Sequence, residues 1–409
     1  MKLHKTLVNA IILTLQQIFV NGVYADKAVA QILKKNVRWG SRDRRFIAET
    51  IYEMVRWWRL INQSSNIYNP VTETDFWKLF ATWQIINGTE LPNWEEFREI
   101  NKIKILERVE EAKKIRKLRE SIPDWLDELG EKELGENIWS KELTELNKEA
   151  QVVLRVNILK TSQESLQKKL NEQNIETFTL KNPKHPWESI SKEILILKKR
   201  QNLQSLKEYK EGLFEIQDGS SQLIAQFMDL SSGMFVIDAC AGAGGKSLHI
   251  AALLNNTGKI VSMDVEEKKL VELKKRSDRS GANIIQIKLV NENILNKYQS
   301  TADRLLLDVP CSGLGVLRRT PDAKWKLNLE FINDVKKKQQ DILQKYSIMV
   351  KPGGIMIYAT CSILPSENEN QIKFFLEKNK KNFKLIEDLK IMPSEGFDGF
   401  YMAKILNTN

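Results

Sequence analysis

A chain of 409 residues, 42% of them hydrophobic, is long enough for two or three domains with sizeable cores. Its 63 Lys and Arg outnumber 53 Asp and Glu, and the net charge of +10 suits a polyanionic partner such as RNA. Three cysteines are too few for a disulfide framework, which argues against a stapled secreted domain and predicts a reducing, cytoplasmic setting.

The first apolar stretch, residues 9–20, is interrupted by Gln16 and Gln17 and is too short to span a bilayer. It reads as a core helix, and no membrane partner is expected. Residues 1–145 read as helical. Ile47, Ile51, Met54, Val55 and Trp58 recur at helical spacing and predict a buried face. Arg38, Arg42, Arg44, Arg45, Arg56 and Arg59 gather around that helix. A phosphate-contacting patch and a solvated face with ordinary ion pairs describe them equally well. Residues 101–120 read as a charged, solvated helix. Pro123 marks a break, followed by a helical linker to about Ala150.

Residues 152–158 are apolar and β-branched and predict a strand. Thr161 and Glu164 have the spacing of a capping box, opening a helix that carries Leu166 and Leu170. Residues 194–197 predict another strand. This small α+β unit, 151–215, is poor in catalytic groups and reads as a positioning, RNA-contacting or spacer module.

From Gln217 the pattern changes. Apolar strands at 235–239, 260–263, 284–288, 305–307 and 355–359 alternate with helical segments, which predicts a doubly wound parallel α/β sheet over 216–409. The first strand ends in Asp238-Ala-Cys-Ala-Gly-Ala-Gly-Gly-Lys246, and a helix starts near Ser247. Gly242, Gly244 and Gly245 let the backbone turn sharply and approach a ligand. Asp264 ends the next strand, 20 residues after Gly244, where a carboxylate can accept both hydroxyls of a ribose. No Walker lysine stands in register, so triphosphate hydrolysis is not expected. Nicotinamide, flavin and S-adenosylmethionine would all use this geometry.

The cysteines separate those three. Cys311, in Leu-Leu-Leu-Asp-Val-Pro-Cys-Ser-Gly, and Cys361, in Ile-Met-Ile-Tyr-Ala-Thr-Cys-Ser, each fall just past an apolar strand. That edge of an open α/β sheet is where ligands bind. A free cysteine is usually a small buried hydrophobe, but two at one edge suggest chemistry at carbon. C5 of a cytosine is a poor nucleophile until a thiolate adds to C6; the activated ring can then attack the methyl of a sulfonium. The C5 proton must afterwards leave and the thiolate be expelled. Asp308, three residues before Cys311, supplies the carboxylate that such chemistry needs near N3.

These motifs resemble those of the Sun/Fmu family of RNA cytosine-5 methyltransferases, of which the ribosomal small-subunit methyltransferase B type is one. Pro-Cys-Ser-Gly and Ala-Thr-Cys-Ser carry the resemblance. So do Arg318-Arg-Thr-Pro-Asp-Ala-Lys-Trp325, Pro365-Ser-Glu-Asn-Glu369 and Asp398-Gly-Phe-Tyr-Met-Ala-Lys404. The resemblance covers the whole chain. It implies a NusB-like RNA-binding helical domain over 1–145, an RRM-like subdomain over 151–215 and a Rossmann-like methyltransferase domain over 216–409. It further implies Cys361 as nucleophile, Cys311 as the proton-handling group for release of the product, and Asp308 at the N3 and amino edge of the cytosine. Cys240, Ala241, Gly242, Ala243, Gly244, Gly245 and Lys246 would wrap the methionine part of S-adenosylmethionine, with Asp264 on the ribose, Asp308 near the methyl donor and Lys246 reaching into the site. DNA cytosine methyltransferases use the Pro-Cys thiol, so Cys311 as nucleophile is the rival assignment.

Two departures from the family stand out. Its Cys-Ala-Ala-Pro-Gly-Gly-Lys reads Cys-Ala-Gly-Ala-Gly-Gly-Lys here, and its aspartate after the third strand is replaced by Asn293 or Asn291. Beside the Pro-Cys turn, Arg318, Arg319, Lys324 and Trp325 are placed either to hold phosphates and stack flanking bases or to pack under the loop. The implied partner is RNA, most simply 16S ribosomal RNA of the small subunit. A non-catalytic assembly factor is the main alternative class. A thiol-redox enzyme lacks a Cys-x-x-Cys, and His4, His185 and His249 lack metal-ligand spacing, so no metal is expected.

Overall fold

The computed structural model describes residues 3–409. The chain forms two compact units: Met1–Lys148 with Leu317–Leu329, and Glu149–Val316 with Glu330–Asn409.

The first unit is helical, as its apolar periodicity predicts. Long helices run over Lys5–Phe19, Ala25–Lys35, Ser41–Arg56, Glu73–Ile86, Lys102–Lys113, Asp124–Leu134 and Glu136–Leu146. Ile47, Ile51, Met54 and Val55 are fully buried and Trp58 nearly so, in one core with Ile11, Leu15, Phe76 and Phe80. The 101–120 segment is less solvated than its charge suggests, since Ile105, Val109 and Ala112 face inward.

The arginines divide by job. Arg44 spans the carbonyls of Leu33, Asn36 and Trp39 and so closes the end of the Ala25–Lys35 helix. Arg56 is buried on the carbonyls of Leu146 and Arg318, and Arg59 binds the Ile122 carbonyl and Asp124. These three are structural. Arg38, Arg42 and Arg45 are exposed, with Arg45 paired to Glu49.

The basic segment after the Pro-Cys turn, Leu317–Leu329, groups with this helical unit. Trp325 packs against the helical core and donates its indole N–H to the Val55 carbonyl at 2.7 Å. Asp322 accepts from the Ala25 amide, and Lys326 donates to the carbonyls of Gly22 and Val23. Lys324 is 3% exposed, and burial, then the nearby Arg56 charge, push its ammonium far below the usual lysine range. Packing, not base stacking, is what Trp325 does.

The second unit carries two sheets. The smaller is antiparallel, in the order β2-β3-β1-β4, from β1 (Val153–Val156), β2 (Thr177–Phe178), β3 (Ile194–Leu197) and β4 (Phe214–Ile216). The helix between β1 and β2 spans Gln163–Glu172, and its N-cap is Ser162, which accepts the Ser165 amide. The expected Thr161 box is thus one residue out of register; serine won the cap with the same hydroxyl chemistry.

The larger sheet has the order β10-β11-β9-β8-β5-β6-β7. It comprises β5 (Phe235–Asp238), β6 (Lys259–Asp264), β7 (Ile285–Leu289), β8 (Ala302–Asp308), β9 (Val350–Thr360), β10 (Phe383–Ile391) and β11 (Phe400–Asn407). Strands β5 to β9 pair in parallel, and β10 and β11 close the edge antiparallel. The inner strands are continuous apolar runs because helices cover both faces. Strand order reverses at β5, between β6 and β8, so the C-terminal ends of β5, β6, β8 and β9 surround one crevice.

Trp325→Ala should destabilise the helical unit by about 2–3 kcal/mol, from lost packing and an orphaned Val55 carbonyl. Urea unfolding followed by fluorescence measures this; an unchanged midpoint would contradict the docking.

Candidate active site

The glycine turn leaves β5 at Asp238 and enters the helix Gly245–Leu253. The Ala241 amide donates to the Met263 carbonyl at 2.8 Å, which pins the turn to β6. Asp264 accepts the amides of Gly242 and Glu266 at 2.8 and 2.9 Å, and each oxygen keeps a lone pair for another donor. Gly242 sits at φ +53°, and a Cβ there would meet nothing within 4 Å, so the backbone lies open to a ligand. An open loop beside a half-satisfied carboxylate fits the amino-acid and ribose parts of S-adenosylmethionine.

Cys240 follows β5 at the start of the glycine turn. Burial, then the charges of Asp238, Asp308 and Asp264, push its thiol well above the usual range. Burial also raises Asp238, to about 7, against the hydrogen bond from Ser247 and with the help of Asp308.

Lys246, in the first turn of its helix, lies under the crevice and donates to Asp308 at the end of β8, 2.6 Å away. Burial opposes its charge, but Asp308, and after it Cys361 and Asp238, outweigh burial and hold it above the usual lysine range. The Phe400 ring lies 5.6 Å from the ammonium. Lys246 is therefore a partly buried counter-ion to Asp308, not a surface lysine.

Register brings the two thiols together. Asp308 stands opposite Ala359 in the β8–β9 pair, so the turns after these strands run side by side. Cys311 Sγ and Cys361 Sγ are 3.2 Å apart. The contact with Cys361, then burial, pushes the Cys311 thiol well above the usual range, so Cys311 keeps its proton. Gly315 donates to the Cys361 carbonyl at 2.9 Å. A Cβ there would lie 2.1 Å from the Gly399 carbonyl oxygen and 2.8 Å from that of Cys361, so only glycine allows this approach.

Beneath both turns lies a carboxylate that the sequence reading did not assign. Glu367 is fully buried. It accepts the Ser312 amide at 2.8 Å, the Ser312 hydroxyl, the Ser362 hydroxyl at 2.6 Å and the Gln339 amide at 3.1 Å. Asn368 donates to the Ser362 carbonyl and accepts from Thr360. Each thiol is followed by a serine that Glu367 grips. The signal was present as a doubled Cys-Ser, two hydroxyls needing one buried acceptor.

The third-strand asparagines stand apart from this cluster. Asn291 caps the helix Glu292–Lys297 by accepting the Ile294 amide, and Asn293 is exposed on that helix. His249 meets Glu193 at 2.7 Å in the core, and among the described residues no group of three or more His, Cys, Asp or Glu is placed to hold a metal.

A doubly wound sheet carrying this loop and Asp264 at its switch point is a Rossmann-like methyltransferase fold, whose cofactor is S-adenosylmethionine. Residues 225–406 match the family described as 16S rRNA methyltransferase RsmB/F, and residues 122–185 match the ferredoxin-like domain of RsmF/B-like methyltransferases. The chain is 34% identical over 268 residues to a probable ribosomal RNA small subunit methyltransferase B of Synechocystis, covering 64% of this chain and 57% of that protein. It is 32% identical over 308 residues to ribosomal RNA small subunit methyltransferase B of Pasteurella multocida, covering 71% and 64%. A methyltransferase homolog protein from Pyrococcus horikoshii superposes with a TM-score of 0.61 at 26% identity, over 71% of this chain and 97% of its own. The chain is thus similar to the RsmB/F, or Sun/Fmu, methyltransferases over residues 225–406, and it spans less than two thirds of the length of these curated relatives.

Glu367→Ala should cost about 3 kcal/mol of stability, because it orphans two serine hydroxyls and the Ser312 amide. It should also speed labelling of Cys311 and Cys361 by an aromatic disulfide reagent; unchanged labelling kinetics would show that the carboxylate does not hold the thiol turns. Asp238 sets a pH dependence as well. Its folded pKa lies above the unfolded value, so the folded state binds more protons between pH 4 and 7, and stability falls as pH rises through that window. Asp238→Asn should flatten the fall in a series of urea titrations; parallel curves for the two proteins would contradict it.

Proposed function

We propose that this chain transfers a methyl group to C5 of a cytosine in RNA, with small-subunit ribosomal RNA as substrate, through a covalent bond between Cys361 and C6. The observation that carries this reading is the pair of thiols 3.2 Å apart at the ends of adjacent strands, beside the Lys246–Asp308 ion pair. A simple binding protein has no use for that arrangement. Bound S-adenosylmethionine supplies the electrophilic methyl group.

The residues divide the remaining work. Cys361 ends the turn after β9, with its sulfur 3.2 Å from that of Cys311 and in the field of the Lys246 ammonium. Its sulfur bonds to C6, and the ring electrons move toward N3. Asp308 meets the N3 and amino edge, and the Lys246 ammonium paired to it offsets the negative charge that develops toward N3. C5 then bonds to the methyl carbon as the methyl–sulfonium bond breaks and leaves a neutral thioether. The C5 proton passes to solvent, the ring double bond reforms and the Cys361 thiolate is expelled, with Cys311 handling a proton at release. The rival choice, Cys311 as nucleophile, asks a thiol whose proton is held well above the usual range to attack.

The target base must leave its stack to reach Cys361. Exposed Arg38 and Arg42 on the helical unit suit contact with the phosphates of structured RNA, in keeping with the excess of basic residues. The free cysteines fit work in the cytoplasm.

Tritiated S-adenosylmethionine and unmodified small-subunit ribosomal RNA test this reading. Wild type should place label on C5 of cytosine, and Cys361→Ala should lower the rate roughly a thousandfold or more. Label on transfer RNA alone would overturn the substrate. No label on any RNA, with RNA binding intact, would replace the reading with a non-catalytic assembly factor.

A further inference from the structure

Two carbonyls of the cofactor loop are held by arginine side chains. The Arg276 guanidinium, on the helix Glu267–Ser280, donates to the Ala243 carbonyl at 2.9 Å. The Arg155 guanidinium, from the middle of β1, donates to the Gly245 carbonyl at 2.6 Å and to the Gln217 side chain. The Gly242 amide of the loop faces Asp264, while these arginines hold the carbonyls of Ala243 and Gly245.

Both grips trace back to the small antiparallel sheet. Glu215, on β4, is buried and binds Arg276 at 2.9 Å and Arg279 at 2.5 Å. Arg155 lies beside Glu215 in the sheet, Cα against Cα in the β1–β4 register. Burial lowers the Arg155 guanidinium to about 10, with Glu215 and Glu193 working against the drop, so it stays charged at neutral pH. Glu193, at the start of β3, reaches the helix that follows the loop through His249 at 2.7 Å. A buried arginine without a bidentate carboxylate is costly unless its donors have a defined use. Here that use is a loop carbonyl.

We infer that the ferredoxin-like subdomain is a positioning element of the cofactor site: Glu215 orients Arg276, and Arg276 with Arg155 fixes the loop Ala243–Gly245 in the shape that receives S-adenosylmethionine. The subdomain is thus neither a spacer nor solely an RNA contact. Restraining the loop lowers the ordering cost of binding, which appears as cofactor affinity. This inference rests on the assignment of the glycine turn and Asp264 to the cofactor.

Titration calorimetry with S-adenosylmethionine on the full chain tests it. Arg276→Met and Glu215→Gln should weaken binding about tenfold, raising KM for the cofactor with little change in kcat. Neither should alter RNA affinity. Asn157→Ala is the structural control: its amide joins the subdomain to the carbonyls of Gly212 and Ser280 at 2.8 Å each and touches no loop atom. It should lower the melting temperature and leave cofactor affinity unchanged. Asp264→Asn should lose binding directly. If Arg276→Met and Glu215→Gln shift only the melting temperature while Asp264→Asn loses binding, the positioning role is overturned. If Asp264→Asn also binds normally, the assignment of the loop falls, and the inference with it.

Discussion

Two thiols meet in this fold because one buried carboxylate holds the turns that carry them. β8 and β9 are parallel neighbours, so their C-terminal turns emerge side by side, but parallel pairing alone leaves such turns free to splay. Glu367 removes that freedom by accepting from Ser312 behind Cys311 and from Ser362 behind Cys361. A buried anion is costly unless its acceptor sites are filled, and here both oxygens have partners. The glycine at 315, pressed between the carbonyls of Gly399 and Cys361, allows the same closure from the other side.

The rest of the crevice is organised around charge. Lys246 enters from the helix after the glycine turn and meets Asp308 from β8, so the cofactor edge and the thiol edge are joined by a single ion pair of 2.6 Å. Both partners are largely shielded from water, and screening is correspondingly weak. Asp308 and Asp238 both act on the Lys246 charge, and burial raises the Asp238 carboxyl. Beside the loop the small sheet repeats the device, with Glu215 balancing two arginines and Arg155 donating to the Gly245 carbonyl and the Gln217 side chain.

Much of this was legible in the sequence. Buried parallel strands are long β-branched and apolar runs, so β5, β6, β8 and β9 stood out, and ligand sites at their C-terminal ends follow from topology. The glycine turn, Asp264, Asp308 and both cysteines were readable for that reason. Glu367 was not, because a glutamate near a helix start looks like surface until the turns above it are known. Arg155 and Arg276 were hidden for the same cause: their partners are backbone carbonyls distant in sequence. The basic run 318–325 left packing and RNA contact equally open, because exposed and buried cations share an alphabet. Trp325 and Lys324 fold into the helical core, and half of the arginine cluster at 38–59 holds carbonyls and carboxylates instead of facing solvent.

The central claim is that the two thiols have unequal parts, with Cys361 bonding to carbon and Cys311 handling a proton at release. Peptide mass spectrometry of the complexes formed with 5-fluorocytosine-substituted RNA tests it most directly. The account predicts a nucleotide attached to the peptide containing Cys361 in wild type and in Cys311→Ala, with Cys311→Ala also retaining RNA that carries no fluorine. No adduct should form in Cys361→Ala. A nucleotide found on Cys311, or an adduct surviving in Cys361→Ala, would contradict the account and transfer the nucleophile to the Pro-Cys turn.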